Sequence, residues 1–240
     1  WETGFTFSKN HNELIELYGG KKDDVTNKWF IGEPIDVNYD YVFDGIWQTD
    51  EAEQAAVYGQ KPGQVKVRDI DGNKVIDADD KQILGQRSPK WIGSITSTFR
   101  YKDFDLSVYL YTQQGAQVQD AFMSSFMTFE GNYNQLDVDY WTENNPSNEF
   151  PQPGNKGKYY DTMRYIDVSF VRVGSITLGW NIPKEWTKKI GIKNARLYFT
   201  TNNPFTFSSY KGFDPEWATQ NTWGTVTGYT TYLIGTKIEF

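Results

Sequence analysis

The chain has 240 residues, room for one large β domain or two small ones, and its net charge of −7 comes with lysines and arginines scattered along it. It presents no basic patch for phosphate backbones, which argues against nucleic acid as a partner. The lack of any cysteine excludes disulfides, thiol catalysis and Cys-ligated zinc, and no stretch approaches the roughly 18 to 20 consecutive apolar residues of a spanning helix.

Aromatic residues make up 17% of the chain although apolar residues reach only 38%. Two architectures fit that combination. In a transmembrane β-barrel, lipid-facing and lumen-facing residues alternate and aromatic girdles mark both interfaces. A secreted carbohydrate-binding β-sandwich, stabilised by calcium, has a similar composition.

In chain order, strand patterns dominate. Residues 1–8, with Trp1, Thr3, Phe5 and Phe7 on one face, and residues 13–18 flank the polar turn Lys9-Asn10-His11-Asn12 and predict a hairpin. Shorter strands are predicted at 28–36 and 40–48, followed by a polar stretch from Thr49 to Lys90. Residues 92–101 and 104–114 form the clearest hairpin, turning at Lys102-Asp103. Phe104, Leu106, Val108 and Leu110, predicted to face outward, alternate there with Asp105, Ser107, Tyr109 and Tyr111. The stretch 115–163 is too long for an ordinary connection and reads as functional. Between 164 and 182 the apolar phase shifts from Val171 and Val173 to Ile176, Leu178 and Trp180, as a β-bulge near Gly174 would produce. Strands at 195–203 and 228–240 close the chain. A start at Trp1, already in a strand pattern, reads as a fragment of something longer, and residues 1–240 as one domain.

The last strand carries the strongest local signal. Tyr232, Ile234, Ile238 and Phe240 share one face, and Thr231, Gly235, Lys237 and Glu239 the other. That suits an apolar exterior and a polar lumen, and the final aromatic residue resembles the C-terminal signature by which outer-membrane barrels are recognised for assembly. A half-buried edge strand that stops at Phe is the other reading. With the C-terminus in the periplasm, strand parity places the turns at 9–12, 102–103 and 183–194 there. The stretches at 49–91, 115–163 and 204–227 then lie outside the cell.

Several segments in fixed order resemble SusC-like TonB-dependent outer-membrane transporters. They are Phe30-Ile31-Gly32-Glu33-Pro34-Ile35, Tyr41-Val42-Phe43-Asp44-Gly45-Ile46-Trp47-Gln48-Thr49, Lys61-Pro62-Gly63 and Asp69-Ile70-Asp71-Gly72-Asn73. Further along are Tyr101-Lys102-Asp103-Phe104-Asp105-Leu106-Ser107, Ser169-Phe170-Val171-Arg172-Val173, Ile176-Thr177-Leu178-Gly179-Trp180, Asn202-Asn203-Pro204-Phe205-Thr206-Phe207 and Gly212-Phe213-Asp214-Pro215-Glu216. The resemblance implies an all-β fold: the C-terminal segment, about seven to nine antiparallel strands, of a 22-stranded transmembrane β-barrel with long extracellular loops. It also implies a plug and a TonB-contacting N-terminal region outside this chain, a SusD-like surface lipoprotein as partner, glycan or peptide as cargo, and Gram-negative outer-membrane lipid around the barrel.

Asp69, Asp71, Asn73, Asp77 and Asp80, with the Val75 carbonyl, have the spacing of an EF-hand or dockerin calcium loop. A hard cation needs six to eight oxygens, collected here by a tight loop leading into a helix predicted from Ala78 to Leu84. Lys74 stands where such loops carry glycine, and Asp80 is shorter than the usual Glu. The other reading is an acidic turn with Asp77 as helix N-cap.

Tyr133, Tyr140, Trp141, Tyr159, Tyr160, Trp217 and Trp223 in the long stretches would stack on sugar rings or line a partner contact, or else pack the loops on one another. The carboxylate pairs Asp137/Asp139 and Asp214/Glu216 have the residue types of a glycosidase, but a spacing of two on a loop is poor support for one. The chain therefore reads as a transporter segment and not an enzyme.

Overall fold

The computed structural model describes residues 1–120, 135–219 and 227–240. Six long strands, β1 (Glu2–Ser8), β6 (Trp91–Tyr101), β7 (Phe104–Gln114), β10 (Phe170–Asn181), β11 (Asn194–Ser208) and β12 (Thr231–Glu239), form one antiparallel sheet in chain order. Six short strands lie between them and pair only with one another. β2 (Val37–Tyr41) pairs with β5 (Lys81–Gln86), β3 (Phe43–Ile46) with β4 (Val65–Val67), and β8 (Gln117–Gln119) with β9 (Tyr165–Asp167). Among the described residues no helix is long and apolar enough to cross a membrane. The 11 residues each of β6 and β7 are long enough to do so as tilted strands.

Directly opposed residues of an antiparallel ladder share a face, so the register sorts the side chains. One row runs Phe99, Leu106, Leu178, Phe199, Ile234, another Phe5, Ile95, Leu110, Val173, Phe205. The opposite face carries Glu2, Thr98, Ser107, Thr177 and Thr200, with Leu233 as an apolar exception, and a second row of Arg100, Asp105, Gly179, Tyr198 and Gly235. Hydroxyls on this face bond across the strands, Thr98 to Ser107 at 3.1 Å and Thr177 to Thr200 at 2.9 Å. Arg196 reaches Asp105 at 2.6 Å, two strands away. It passes over Gly179, where a Cβ would meet both charged groups.

The bulge falls at Gly174, where the register of β10 shifts against both neighbours. It keeps Val171 and Val173 on the apolar face together with Ile176 and Leu178, and it sends Phe170 and Arg172 to the polar face. On β11 the same region holds Asn203, at φ 50°, and Pro204. Pairing with β12 stops at Asn202, so the missing N–H of Pro204 interrupts no ladder on that side.

Several expectations are corrected. Residues 1–8 and 13–18 are not a hairpin: β1 pairs with β6, and 13–18 contains only an isolated bridge between Leu17 and Gly20. The turn at 9–12 therefore opens a long loop, residues 9–90, at the opposite end from Lys102-Asp103. Residues 28–36 are not a strand, and 40–48 divides between β2 and β3. β11 continues to Ser208, so the third loop is 209–230, not 204–227. Of the twelve strands among the described residues, six belong to the wall. The apolar face leaves Phe5, Ile95, Phe99, Leu178, Phe199 and Ile234 exposed, where the facing inner sides of a β-sandwich would bury them.

One end of the sheet thus holds the short turns at 102–103 and 182–193 with Trp1 and Phe240. The other holds three long loops, 9–90, 115–169 and 209–230. A charge on the apolar face should be far more costly than one on the polar face. With the apolar face against lipid, Leu106→Arg is expected to destabilise by about 2–4 kcal/mol near the bilayer midplane, and Ser107→Arg much less. Equal losses in denaturant unfolding would mean that both faces are wetted, and a larger loss for Ser107→Arg that the two faces are reversed.

Candidate functional site

The first two loops share a core: Ile46, Val65 and Val67 from the first and Trp141, Tyr159 and Tyr160 from the second form a single buried cluster. The Trp141 ring lies on Gly63, at φ 83°, where a Cβ would come within 2.7 Å of it. Its indole N–H donates to Gln48 at 3.0 Å, the Ile46 N–H donates to Asn148 Oδ1 at 2.6 Å, and the Gln152 N–H donates to the Gly63 carbonyl at 2.8 Å.

Burial decides the fate of the loop aromatics. Trp141, Tyr159 and Tyr160 are 3%, 6% and 5% exposed and hold the loops together, so the reading of them as ligand-stacking rings is corrected. Tyr140 and Trp217 are exposed. Tyr133 and Trp223 lie outside the described residues. Along β12 to the C-terminus, Tyr232, Ile234, Ile238 and Phe240 are all exposed on the apolar side, with Tyr232 stacked on Phe199 at 6.3 Å.

The acidic loop brings three of its residues together: Asp69, Asp71 and Asp80 each place a carboxylate oxygen within 4.8 Å of the others. Lys74 takes a φ of 67°, the left-handed conformation that a calcium loop supplies with glycine at this point. The predicted helix at 78–84 is absent. A 3-10 turn, Ala78–Asp80, leads directly into β5, and Asp77 caps it by accepting from the Asp79 N–H. Asp80 is fully buried and accepts from the Ile70 and Asp77 amides at 2.6 and 2.9 Å. Burial works to raise the Asp69 carboxyl, but the amides of Lys74 and Gly72 and the Tyr58 hydroxyl outweigh it and hold it below the usual carboxylate range. Asn73 and Asp77 direct oxygens to the amides of Val75 and Asp79, outside the converging trio.

Sequence reasoning missed a buried ion-pair cluster around Arg172. Arg172, turned to the polar face by the bulge, donates to Asp214 Oδ1 and Glu216 Oε2, both at 2.7 Å, and to Thr206 Oγ1 at 2.9 Å. Tyr111, on the neighbouring strand, donates to the same Glu216 carboxylate at 2.8 Å. The Phe170 ring lies 4.9 Å from the guanidinium carbon. Asp214 also caps the short helix Pro215–Ala218 by accepting from the Glu216 N–H at 2.9 Å, with proline in the first turn where its missing N–H costs nothing. The third loop is thereby fastened to the wall through both acids. This engages the Asp214/Glu216 pair as ion-pair partners of arginine. A signal was available: a lone arginine within an apolar strand next to a bulge, and an acid pair far along the chain.

A cavity of ≈ 350 Å³ opens between the loops, walled by Phe43, Phe150, Met163 and Ile166 and rimmed by Glu149 and Lys211. Tyr210 donates to Asp120 at 3.1 Å beside it, and burial together with that carboxylate pushes the Tyr210 phenol far above its ordinary value. It remains a donor at neutral pH.

No family model matches the chain. It is 29% identical to TonB-dependent receptor P3 of Formosa agariphila over 233 residues, covering 90% of this chain and 23% of that receptor. It is 27% identical to TonB-dependent receptor SusC of Bacteroides thetaiotaomicron, covering 100% of this chain and 24% of that one. The fold matches the RagAB peptide transporter with a TM-score of 0.76 at 21% identity, covering 99% of this chain and 27% of the other. A RagAB peptide importer in a closed-closed state matches at 0.74 and 22% identity. The chain spans about a quarter of the length of the relatives it matches.

Replacing Arg172 with Met in the complete protein would leave Asp214 buried without its cation, an expected loss of about 3–5 kcal/mol in local stability. Amide exchange across 209–219 should accelerate while exchange in β6 and β7 stays slow. Arg172→Lys should protect less than arginine, because one ammonium does not span both carboxylates. Unchanged exchange at 209–219 in Arg172→Met would show that the arginine does not hold the loop.

Proposed function

We propose that this chain, similar along its length to SusC-like TonB-dependent receptors and folded as part of their barrel, is the C-terminal barrel segment of a Gram-negative outer-membrane importer. The observation that carries this reading is the amphipathic sheet. Its wall is apolar on one side, polar and ion-paired on the other, with short turns at one end and co-folded loops at the other. In this reading the turn end and the C-terminus face the periplasm, the loop end faces outward, and the apolar face meets outer-membrane lipid.

The complete protein would take up glycans or oligopeptides with a SusD-like surface lipoprotein, driven by TonB through a region outside this chain. Cargo and partner contact belong to the loop end, where Tyr140 and Trp217 are exposed and the cavity opens. The likeness to RagAB peptide importers supports peptide; the aromatic residues support sugar rings equally well. Deleting the complete gene should abolish uptake of either labelled oligopeptides or labelled oligosaccharides, with the same loss on removing TonB. Normal uptake of both classes would refute the importer reading.

The convergence of Asp69, Asp71 and Asp80 favours a structural calcium ion as a further part of this proposal. These three would hold it, with Asn73, Asp77 and the Val75 carbonyl supplying the remaining oxygens, and the ion would stiffen the first loop against the core it shares with the second. Calcium added to the chelator-treated complete protein should raise its melting temperature, and Asp71→Asn, at an exposed position, should shrink the rise. An identical melting curve with calcium and with chelator would remove the ion.

A further inference from the structure

The turn between β10 and β11 presents a surface that neither the wall nor the loops use. Residues 182–193 hold a short helix, Lys184–Thr187, and a 3-10 turn, Lys188–Ile190, closed by Gly191 at φ 76°. Lys184, Lys188, Lys189 and Lys193 against the single Glu185 leave this turn at +3 in a chain of net charge −7. All four lysines are exposed, and none forms an ion pair among the described residues.

Solvation alone would account for the lysines but not for what stands between them. Trp186 is 57% exposed and Ile190 71% exposed. The Trp186 ring meets Trp180 edge-on at 6.1 Å, and Trp180 stacks on Phe104 at 6.0 Å on the apolar face of the wall. Trp186 thus continues the apolar band beyond the ends of the strands, into a ring of positive charge. Indole and aliphatic groups flanked by ammonium groups are suited to the boundary between acyl chains and headgroups. Each lysine near an anionic lipid surface is attracted to it there, and the rings occupy the interface.

We propose that the 184–193 turn docks on the membrane beside the barrel and binds anionic phospholipid headgroups. Trp186 and Ile190 sit at the hydrocarbon boundary, and Lys184, Lys188, Lys189 and Lys193 face the phosphates. The occupant follows from continuity with the apolar face and from charge complementarity. The proposal rests on the reading of that face as lipid-facing.

The test uses the complete protein reconstituted in phosphatidylethanolamine vesicles with increasing phosphatidylglycerol. One preparation carries an environment-sensitive fluorescent amino acid in place of Ile190, and another carries it in place of Leu106. Brominated acyl chains should quench both probes, and quenching at position 190 should rise with phosphatidylglycerol. In a Lys188→Gln, Lys189→Gln, Lys193→Gln variant, the phosphatidylglycerol fraction for half-maximal quenching should rise several-fold, with the 106 probe unchanged. A 190 probe that stays in water while the 106 probe is quenched would overturn the docking, as it would if the turn served a protein partner. Quenching at 190 that ignores phosphatidylglycerol would overturn the headgroup contact. An unquenched 106 probe would instead overturn the lipid-facing wall beneath both.

Discussion

Everything in this molecule depends on one constraint: side chains in a strand alternate with a period of two, and a slip of one residue inverts a whole strand. Five strands hold the same register across the row Phe99, Leu106, Leu178, Phe199 and Ile234. In β10 the apolar residues change phase, and without correction either Val171 and Val173 or Ile176 and Leu178 would fall on the charged side. One extra residue at Gly174 resolves the conflict. Glycine is suited to it because the stacked rings of Tyr109 and Tyr111 lie against that position, where a Cβ would come within 2.6 Å of Tyr109.

The bulge has a second consequence, because it also aims Arg172 and Phe170 at the polar side. There the guanidinium collects two acids from a segment about forty residues later, and a loop with little core of its own acquires a fixed seat. Such a buried group is strong only when complete. Each charge has its partner within hydrogen-bond distance, and removing Arg172 leaves Asp214 stranded in a buried site. The first two loops solve the same problem by apolar means, each supplying half of a core. The described part of the loop end is therefore built on the wall and held by a shared hydrophobic cluster on one side and an ion-pair cluster on the other.

How much of this was legible in sequence follows the range of the physics involved. The β6–β7 hairpin, the bulge at Gly174 and the alternation of β12 are local patterns, and each is where the residues placed it. The partner of β1 is not local: Phe5 meets Ile95 across ninety residues, while the nearest turn signal, Lys9 to Asn12, pointed to a false hairpin. The acidic loop was legible as a cluster of carboxylates, since spacing brings Asp69, Asp71 and Asp80 together. Its exit was not, because β5 pairs with β2 and that pairing overrides the helical character of 78–84. The loop aromatics failed for a related reason. Composition identifies rings in a loop, but only the other loop determines which of them it buries.

The polar face shows why a wall of this kind needs glycine at positions that look arbitrary in sequence. Arg196 and Asp105 stand on strands separated by β10, and they meet only because Gly179 leaves the path between them open. Tyr198 lies in the same way across Gly235 of β12. In both places a long side chain lies flat over a neighbouring strand, which keeps the polar face shallow and joins strands through side chains as well as through the ladder. A sheet that must leave room on its inner side gains cross-links from this arrangement without filling the space. The glycines in those two strands thus have one physical explanation, and it lies in the residues that cover them.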